Sequence, residues 1–158
     1  MLGLILLDKP QGITSFSAVN GIKRRAHEKR VGHTGTLDPM ATGVLPILLG
    51  RATALSSLLL EGDKKYIAEI KLGVTTDTQD ITGNVISEHQ GELPSFGEFA
   101  KIAKEFEGEI LQTPPMYSAL KVGGVKLLNY AREGVTIERE ARKVNIYSCD
   151  PLEKNGEF

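Results

Sequence analysis

The chain opens on an unbroken apolar run, Leu2, Leu4, Ile5, Leu6 and Leu7, without alternation of polar residues. That pattern predicts a short strand over 2–7 covered on both faces. Pro10 and Gly12 end it, and Thr14 or Ser15 can cap a helix after them. Val19, Ile22 and Ala26 then recur at helical spacing with basic residues on the other side, which predicts a helix over 15–28. From 29 to 50 neither period holds, because Gly32, Gly35, Pro39, Gly43 and Pro46 interrupt both. Leu37, Met40, Val44, Leu45, Ile47 and Leu48 supply enough apolar surface to make this an ordered loop packed on the core.

Further along, a short helix is predicted over 52–60. A strand over 66–72 comes next, with Tyr66, Ala68, Ile70 and Leu72 on one face and Glu69 and Lys71 on the other. A turn-rich stretch over 75–83 leads to a partner strand over 84–89. Ser95 and Glu98 have the spacing of a capping box, so a helix is predicted from there to about 106. Residues 113–124 are again irregular. A helix over 126–133 stops at Gly134, and a last strand runs over 143–149. Asn155-Gly156 is a strong two-residue hairpin signal with only Glu157 and Phe158 after it, so the sequence reads as stopping inside a hairpin.

With 158 residues, 41% hydrophobic and 25% charged, the balance is that of one globular domain with a core rather than a disordered chain. No apolar run approaches the roughly 20 residues of a membrane span, and the start lacks the basic flank of a signal peptide. The cytoplasm is therefore the default location. One cysteine, Cys149, excludes an internal disulfide, and it has no neighbouring base to make it a nucleophile. His27, His33 and His89 are scattered without Cys or Glu at metal-ligand spacing, so no metal site is expected. The net charge of −1 does not by itself suggest a polyanionic partner. Yet Lys23, Arg24, Arg25, Lys29 and Arg30 crowd one stretch against Glu28 alone. They read either as a solvated helix face or as a patch that neutralises phosphates.

Gly32-His33-Thr34-Gly35-Thr36-Leu37-Asp38-Pro39-Met40-Ala41-Thr42-Gly43 is the first segment able to carry chemistry. Asp38 precedes a proline, which pushes its backbone toward an extended or turn shape. Flanking glycines allow close approach of a ligand. Asp38 is either a nucleophile toward an electron-poor carbon or the acceptor of an Asx turn. Lys64-Lys65-Tyr66 is the second such segment, with Tyr66 as a base-stacking or proton-transfer group, or else a strand-edge core residue. Asp77 and Asp80 belong to a turn that is too poor in ligands for calcium.

Taken together, five segments in order resemble the TruB-type tRNA pseudouridine synthases over nearly the whole chain. They are Lys9-Pro10-Gln11-Gly12-Ile13-Thr14-Ser15, the stretch from Gly32 to Gly43, Lys64-Lys65-Tyr66, Pro114-Pro115-Met116-Tyr117-Ser118-Ala119-Leu120-Lys121 and Tyr130-Ala131-Arg132-Glu133-Gly134. The resemblance implies an α+β domain built on a mixed, mainly antiparallel sheet flanked by helices and incomplete at its C-terminus. On that reading, 1–158 is a partial catalytic domain. It implies isomerisation of the uridine at position 55 in the T-loop of tRNA by a monomer that uses no cofactor or metal. Asp38 would be the nucleophile, attacking the uracil ring or the ribose C1′. Tyr66 would stack on the flipped base, and His33 would contact the RNA.

The motif from Lys9 to Ser15 is expected to brace the Asp38 loop, and Lys23, Arg24 and Arg25 to anchor phosphates. The family's later Gly-Thr-Tyr-Ile-Arg motif, whose arginine pairs with the catalytic aspartate, and its C-terminal RNA-binding domain are not in this sequence. The chain alone is therefore expected to be inactive or impaired. Two other readings compete. One is a non-catalytic RNA-binding or tRNA-folding module. The other is a carboxylate-dependent hydrolase, which needs a second carboxylate about 5–10 Å from Asp38, and no such partner is evident.

Overall fold

A computed structural model describes residues 1–60, 62–118 and 120–152. The Asn155-Gly156 hairpin signal lies outside them. The chain divides into two compact units, Met1–Ile67 and Ala68–Phe158. Every strand pairing among the described residues is antiparallel and helices accompany the sheets, in agreement with the α+β expectation.

The first unit is a three-stranded sheet in the order β1-β3-β2, with one helix on a face. β1 is Leu2–Lys9, α1 is Ser15–Arg25, β2 is Val31–His33 and β3 is Gly43–Gly50. β1 lies along the whole of β3, from Leu2 opposite Gly50 to Lys9 opposite Gly43. Ala18 and Val19 of α1 bury against Leu45 and Ile47 of β3. Ile5, Leu7, Ile13, Ile22, Val31 and Leu37 close the cluster. Covering a leucine or isoleucine in this way is worth about 1.5–3 kcal/mol each.

Two expectations change here. β1 is not covered on both faces, since Leu2, Leu4 and Leu6 are exposed while Ile5 and Leu7 pack inward. An apolar run without alternation says nothing about which face finds a partner. And 29–50 is not wholly irregular, because it contains β2 and ends in the central strand β3. Pro46 is tolerated there because its ring nitrogen, like its carbonyl, points to the β2 side at the place where that ladder stops. β2 pairing ends at His33 opposite Ile47, and the Pro46 carbonyl accepts the Thr34 amide at 3.2 Å.

α1 begins on Thr14, whose hydroxyl accepts from the Ser17 amide at 3.0 Å. It stops at Arg25, earlier than predicted. His27 adopts φ 49°, and the Glu28 and His27 amides turn back to the carbonyls of Lys23 and Arg24, a Schellman ending with histidine in the left-handed position. After β3 a 3-10 turn, Arg51–Leu55, precedes the single turn α2, Ser56–Leu60, where one helix was predicted.

In the second unit, β4 (Val74–Thr76) pairs with β5 (Val85–Glu88), not with the segment before it. The alternating residues 66–72 form no strand. Alternation is only half of a strand, and among the described residues no ladder partner reaches this segment. α3, Phe96–Lys104, carries the predicted capping box, with Ser95 and Glu98 bonded reciprocally. β6 (Gly108–Gln112) pairs with β9 (Arg142–Ile146), so Cys149 lies past the strand instead of within it.

β7 (Lys121–Val122) and β8 (Val125–Lys126) form a tight hairpin through Gly123 and Gly124, both at positive φ. α4, Leu127–Arg132, ends as predicted at Gly134, at φ 71°.

Candidate active site

The site is built at one end of the first sheet. β1 finishes at Lys9 beside Gly43, where β3 starts, so the β1–α1 turn and the loop 34–42 leave the sheet side by side. The turn grips the loop. The Lys9 side chain is fully buried, and its three ammonium protons have three carbonyl acceptors: Pro10 at 3.0 Å, Ile13 at 2.9 Å and Pro39 at 3.4 Å. Gly12, in the left-handed region at φ 87°, donates its amide to the same Pro39 carbonyl at 2.8 Å. Ser15, also buried, donates its hydroxyl to the Leu37 carbonyl at 3.0 Å and accepts the Leu37 amide at 2.9 Å. The brace expected of the Lys9-to-Ser15 motif is thus present in atomic detail.

Asp38 stands between the two pinned residues. Leu37 is fastened by Ser15 and by its side chain in the core, and Pro39 by Lys9 and Gly12. The Asp38 carbonyl accepts the Ala41 amide at 3.1 Å, which closes one turn. Its side chain is exposed, and among the described residues the carboxylate receives no hydrogen bond and no cation. The Asx-turn reading required such a bond, so the turn is held by other groups and the carboxylate stays available.

His33 ends β2 at the root of the same loop. Its Nδ1 is shut off from solvent without a hydrogen-bond partner among the described residues, an unusual state for a buried polar atom. Tyr66 is 69% exposed in a segment of the same unit without regular secondary structure, so it is neither a core residue nor part of a strand. Lys23, Arg24 and Arg25 form the last turn of α1 and are exposed. Lys23 and Arg24 line one shallow groove, and Arg25 does not.

In the second unit one of the remaining motifs holds the start of the helix that carries the other. The Leu127 and Leu128 amides, at the start of α4, donate to the carbonyls of Leu120 and Ser118 at 2.8 and 3.1 Å. Motif backbone thereby satisfies helix-end donors that would otherwise lack partners. Arg139, not singled out by sequence, ties Pro114 into the same unit through its carbonyl at 2.8 Å. Asp77 and Asp80 are turn residues as expected. Asp77 accepts from Asn84, and Asp80 from Thr78 and Thr82. Among the described residues no group of three metal-ligating side chains occurs, and no helix is long and apolar enough to cross a membrane.

An exposed aspartate on a loop clamped by a buried lysine and serine leaves its carboxylate open to solvent, and comparison with known sequences shows the family in which this arrangement falls. Residues 23–158 match the family model for "TruB family pseudouridylate synthase (N terminal domain)", and the chain belongs to that family. It is 49% identical over 155 residues to tRNA pseudouridine synthase B of Clostridium tetani, covering 98% of this chain and 54% of that protein. To the protein of the same name from Endomicrobium trichonymphae it is 47% identical over 156 residues, covering 99% and 68%. Among solved structures, a chain of a Cbf5-Nop10-Gar1 complex superposes with a TM-score of 0.61 at 29% identity, covering 98% of this chain and 36% of that one. The chain spans about half the length of the curated relatives it matches.

Proposed function

We propose that this chain is part of the catalytic domain of an enzyme that isomerises uridine to pseudouridine at position 55 in the T-loop of tRNA, with Asp38 as nucleophile. The observation that carries this reading is the free Asp38 carboxylate between two immobilised neighbours. The reaction breaks the bond from N1 of uracil to C1′ of the ribose and makes one from C5 to C1′. The C5 proton is lost and N1 gains one, so atoms and electrons balance without a co-reactant. Asp38 attacks the uracil ring or C1′, holding one fragment while the base turns.

The base must first leave the folded loop, at a cost of a few kcal/mol. Stacking on the open face of Tyr66 returns about 1–3 kcal/mol, and His33 touches the RNA beside the emptied position. Lys23, Arg24 and Arg25 anchor phosphates. The protein works as a monomer in the cytoplasm.

In the complete protein, Asp38→Asn abolishes conversion of uridine in a T-arm stem-loop while RNA binding persists. Retained conversion rejects Asp38 as nucleophile. Among the described residues no cation lies beside Asp38 to orient its carboxylate. The isolated chain is expected to turn over poorly, and full activity on the stem-loop overturns that. The exposed basic turn of α1 supports a second reading, a non-catalytic RNA-binding or tRNA-folding module. It predicts salt-sensitive binding with no conversion by the complete protein either.

A further inference from the structure

The groove at the end of α1 contains more than the basic residues of the helix. Asn20, Lys23, Arg24, His27, Glu28 and Lys29 line a depression of about 500 Å³. Asn20 falls on the same helix face as Lys23 and Arg24 by its spacing. The left-handed His27 reverses the chain, so Lys29 reaches the groove that Lys23 and Arg24 line. Lys23, Arg24 and Lys29 are exposed and make no ion pair among the described residues.

The one carboxylate of the groove is engaged elsewhere. Glu28 accepts the Arg30 amide at 3.0 Å and faces the Met1 amine at 3.6 Å. The hydrogen bond from Arg30, first, and the amine hold its carboxyl below the usual carboxylate range. Three cations thus line one groove with a single carboxylate, itself held by the Arg30 amide and the Met1 amine, in a chain of net charge −1. The depression is too open to enclose a small molecule, whereas a polyanionic strand lying across it needs no enclosure.

We propose that this groove holds the phosphodiester backbone of the RNA, with Lys29, His27 and Asn20 joining Lys23 and Arg24. The inference rests on the family's RNA substrate and adds where a second part of that RNA is held. α1 has 11 residues, about 16 Å at 1.5 Å per residue, and its first residue, Ser15, grips the Asp38 loop. The groove therefore contacts phosphates well away from the reacting nucleotide. Arg25, outside the groove, contributes less than Lys29.

The test is RNA binding by the full chain, read by fluorescence anisotropy of a labelled T-arm stem-loop over a salt series, without turnover. The triple variant Lys23→Ala, Arg24→Ala, Lys29→Ala is expected to bind roughly tenfold more weakly, its salt slope reduced by about two to three. Lys29→Glu alone weakens binding, Lys29→Arg binds like the parent, and Arg25→Ala changes binding less than Lys29→Ala. Unchanged affinity and slope in the triple variant overturn the proposal, as does an equal loss in Lys29→Arg. Thermal unfolding of each variant identifies any that fails to fold, and the exposed single substitution Lys29→Glu then decides. A complete protein that binds through this groove yet converts no uridine refutes the isomerase reading and leaves the groove standing. One that converts uridine while the triple variant binds normally refutes the groove alone.

Discussion

The Ser15 hydroxyl and the Leu37 peptide bond each other in both directions, at 3.0 and 2.9 Å, so one buried side chain fixes both the amide and the carbonyl of the residue before Asp38. Ser15→Ala removes both bonds and leaves a peptide group short of partners. The expected loss is about 1–3 kcal/mol in unfolding free energy, measured by urea denaturation. In the complete enzyme kcat falls more than KM rises, because the carboxylate is left less well aimed while the RNA surface is untouched. An equal effect on both constants would reduce Ser15 to a general stabiliser.

Lys9→Met keeps the length of the side chain and deletes its three donors. The Pro39 carbonyl retains the Gly12 amide, but the Lys9 bonds to the carbonyls of Pro10 and Ile13 are lost. A destabilisation of about 1–3 kcal/mol is expected in the same measurement. Stability equal to the parent protein would show that the tripod is dispensable.

At Gly50, φ is 60° and an added Cβ would sit 2.0 Å from the Met1 carbonyl oxygen. Backbone cannot yield there as a side-chain tip can. Gly50→Ala is expected to cost on the order of 3 kcal/mol or more, through strain and a displaced start of β1. A melting temperature within a degree or two of the parent would contradict it.

Asp80 supplies a pH prediction. The Thr82 hydroxyl, first, and the amide of Thr82 with the hydroxyl of Thr78 hold its carboxyl below the ordinary value of 3.8. Because the folded value is depressed, the stabilisation is fully present above the unfolded value and is lost as pH falls through the folded one. The β4–β5 turn should loosen only below about pH 4. Thr82→Val should move the Asp80 titration upward, as read by carboxyl NMR. An unmoved titration would remove Thr82 as the cause.

Local signals translated well from sequence to structure. The Ser95–Glu98 capping box and the stops at Gly134 and Gly12 depend on residues a few positions apart, and all three are where the sequence placed them. The Lys9-to-Ser15 brace was legible as a role, although not as three carbonyls on one ammonium. Features that depend on a distant partner were not. β3 was hidden because Gly43 and Pro46 break its period, and the pairing that tolerates Pro46 is made with β2, more than ten residues away. Residues 66–72 show the converse, a strand pattern without a ladder. The hairpin through Gly123 and Gly124 was missed although two glycines between Val122 and Val125 are a two-residue turn signal. Lys29 stood out in the basic stretch of the sequence, but its meeting with Asn20 and His27 in one groove was not legible, because it depends on where α1 stops.

The clamp on the Asp38 loop also sets a clock. Loop amides ordinarily trade their protons with solvent early, through small local openings. The Leu37 amide is bonded to a buried hydroxyl on the first residue of α1, and its side chain belongs to the cluster that joins α1 to β3. Releasing it means parting helix from sheet. In hydrogen exchange the residue beside Asp38 should therefore keep time with the interior of β3, long after the exposed stretch around Tyr66 has exchanged.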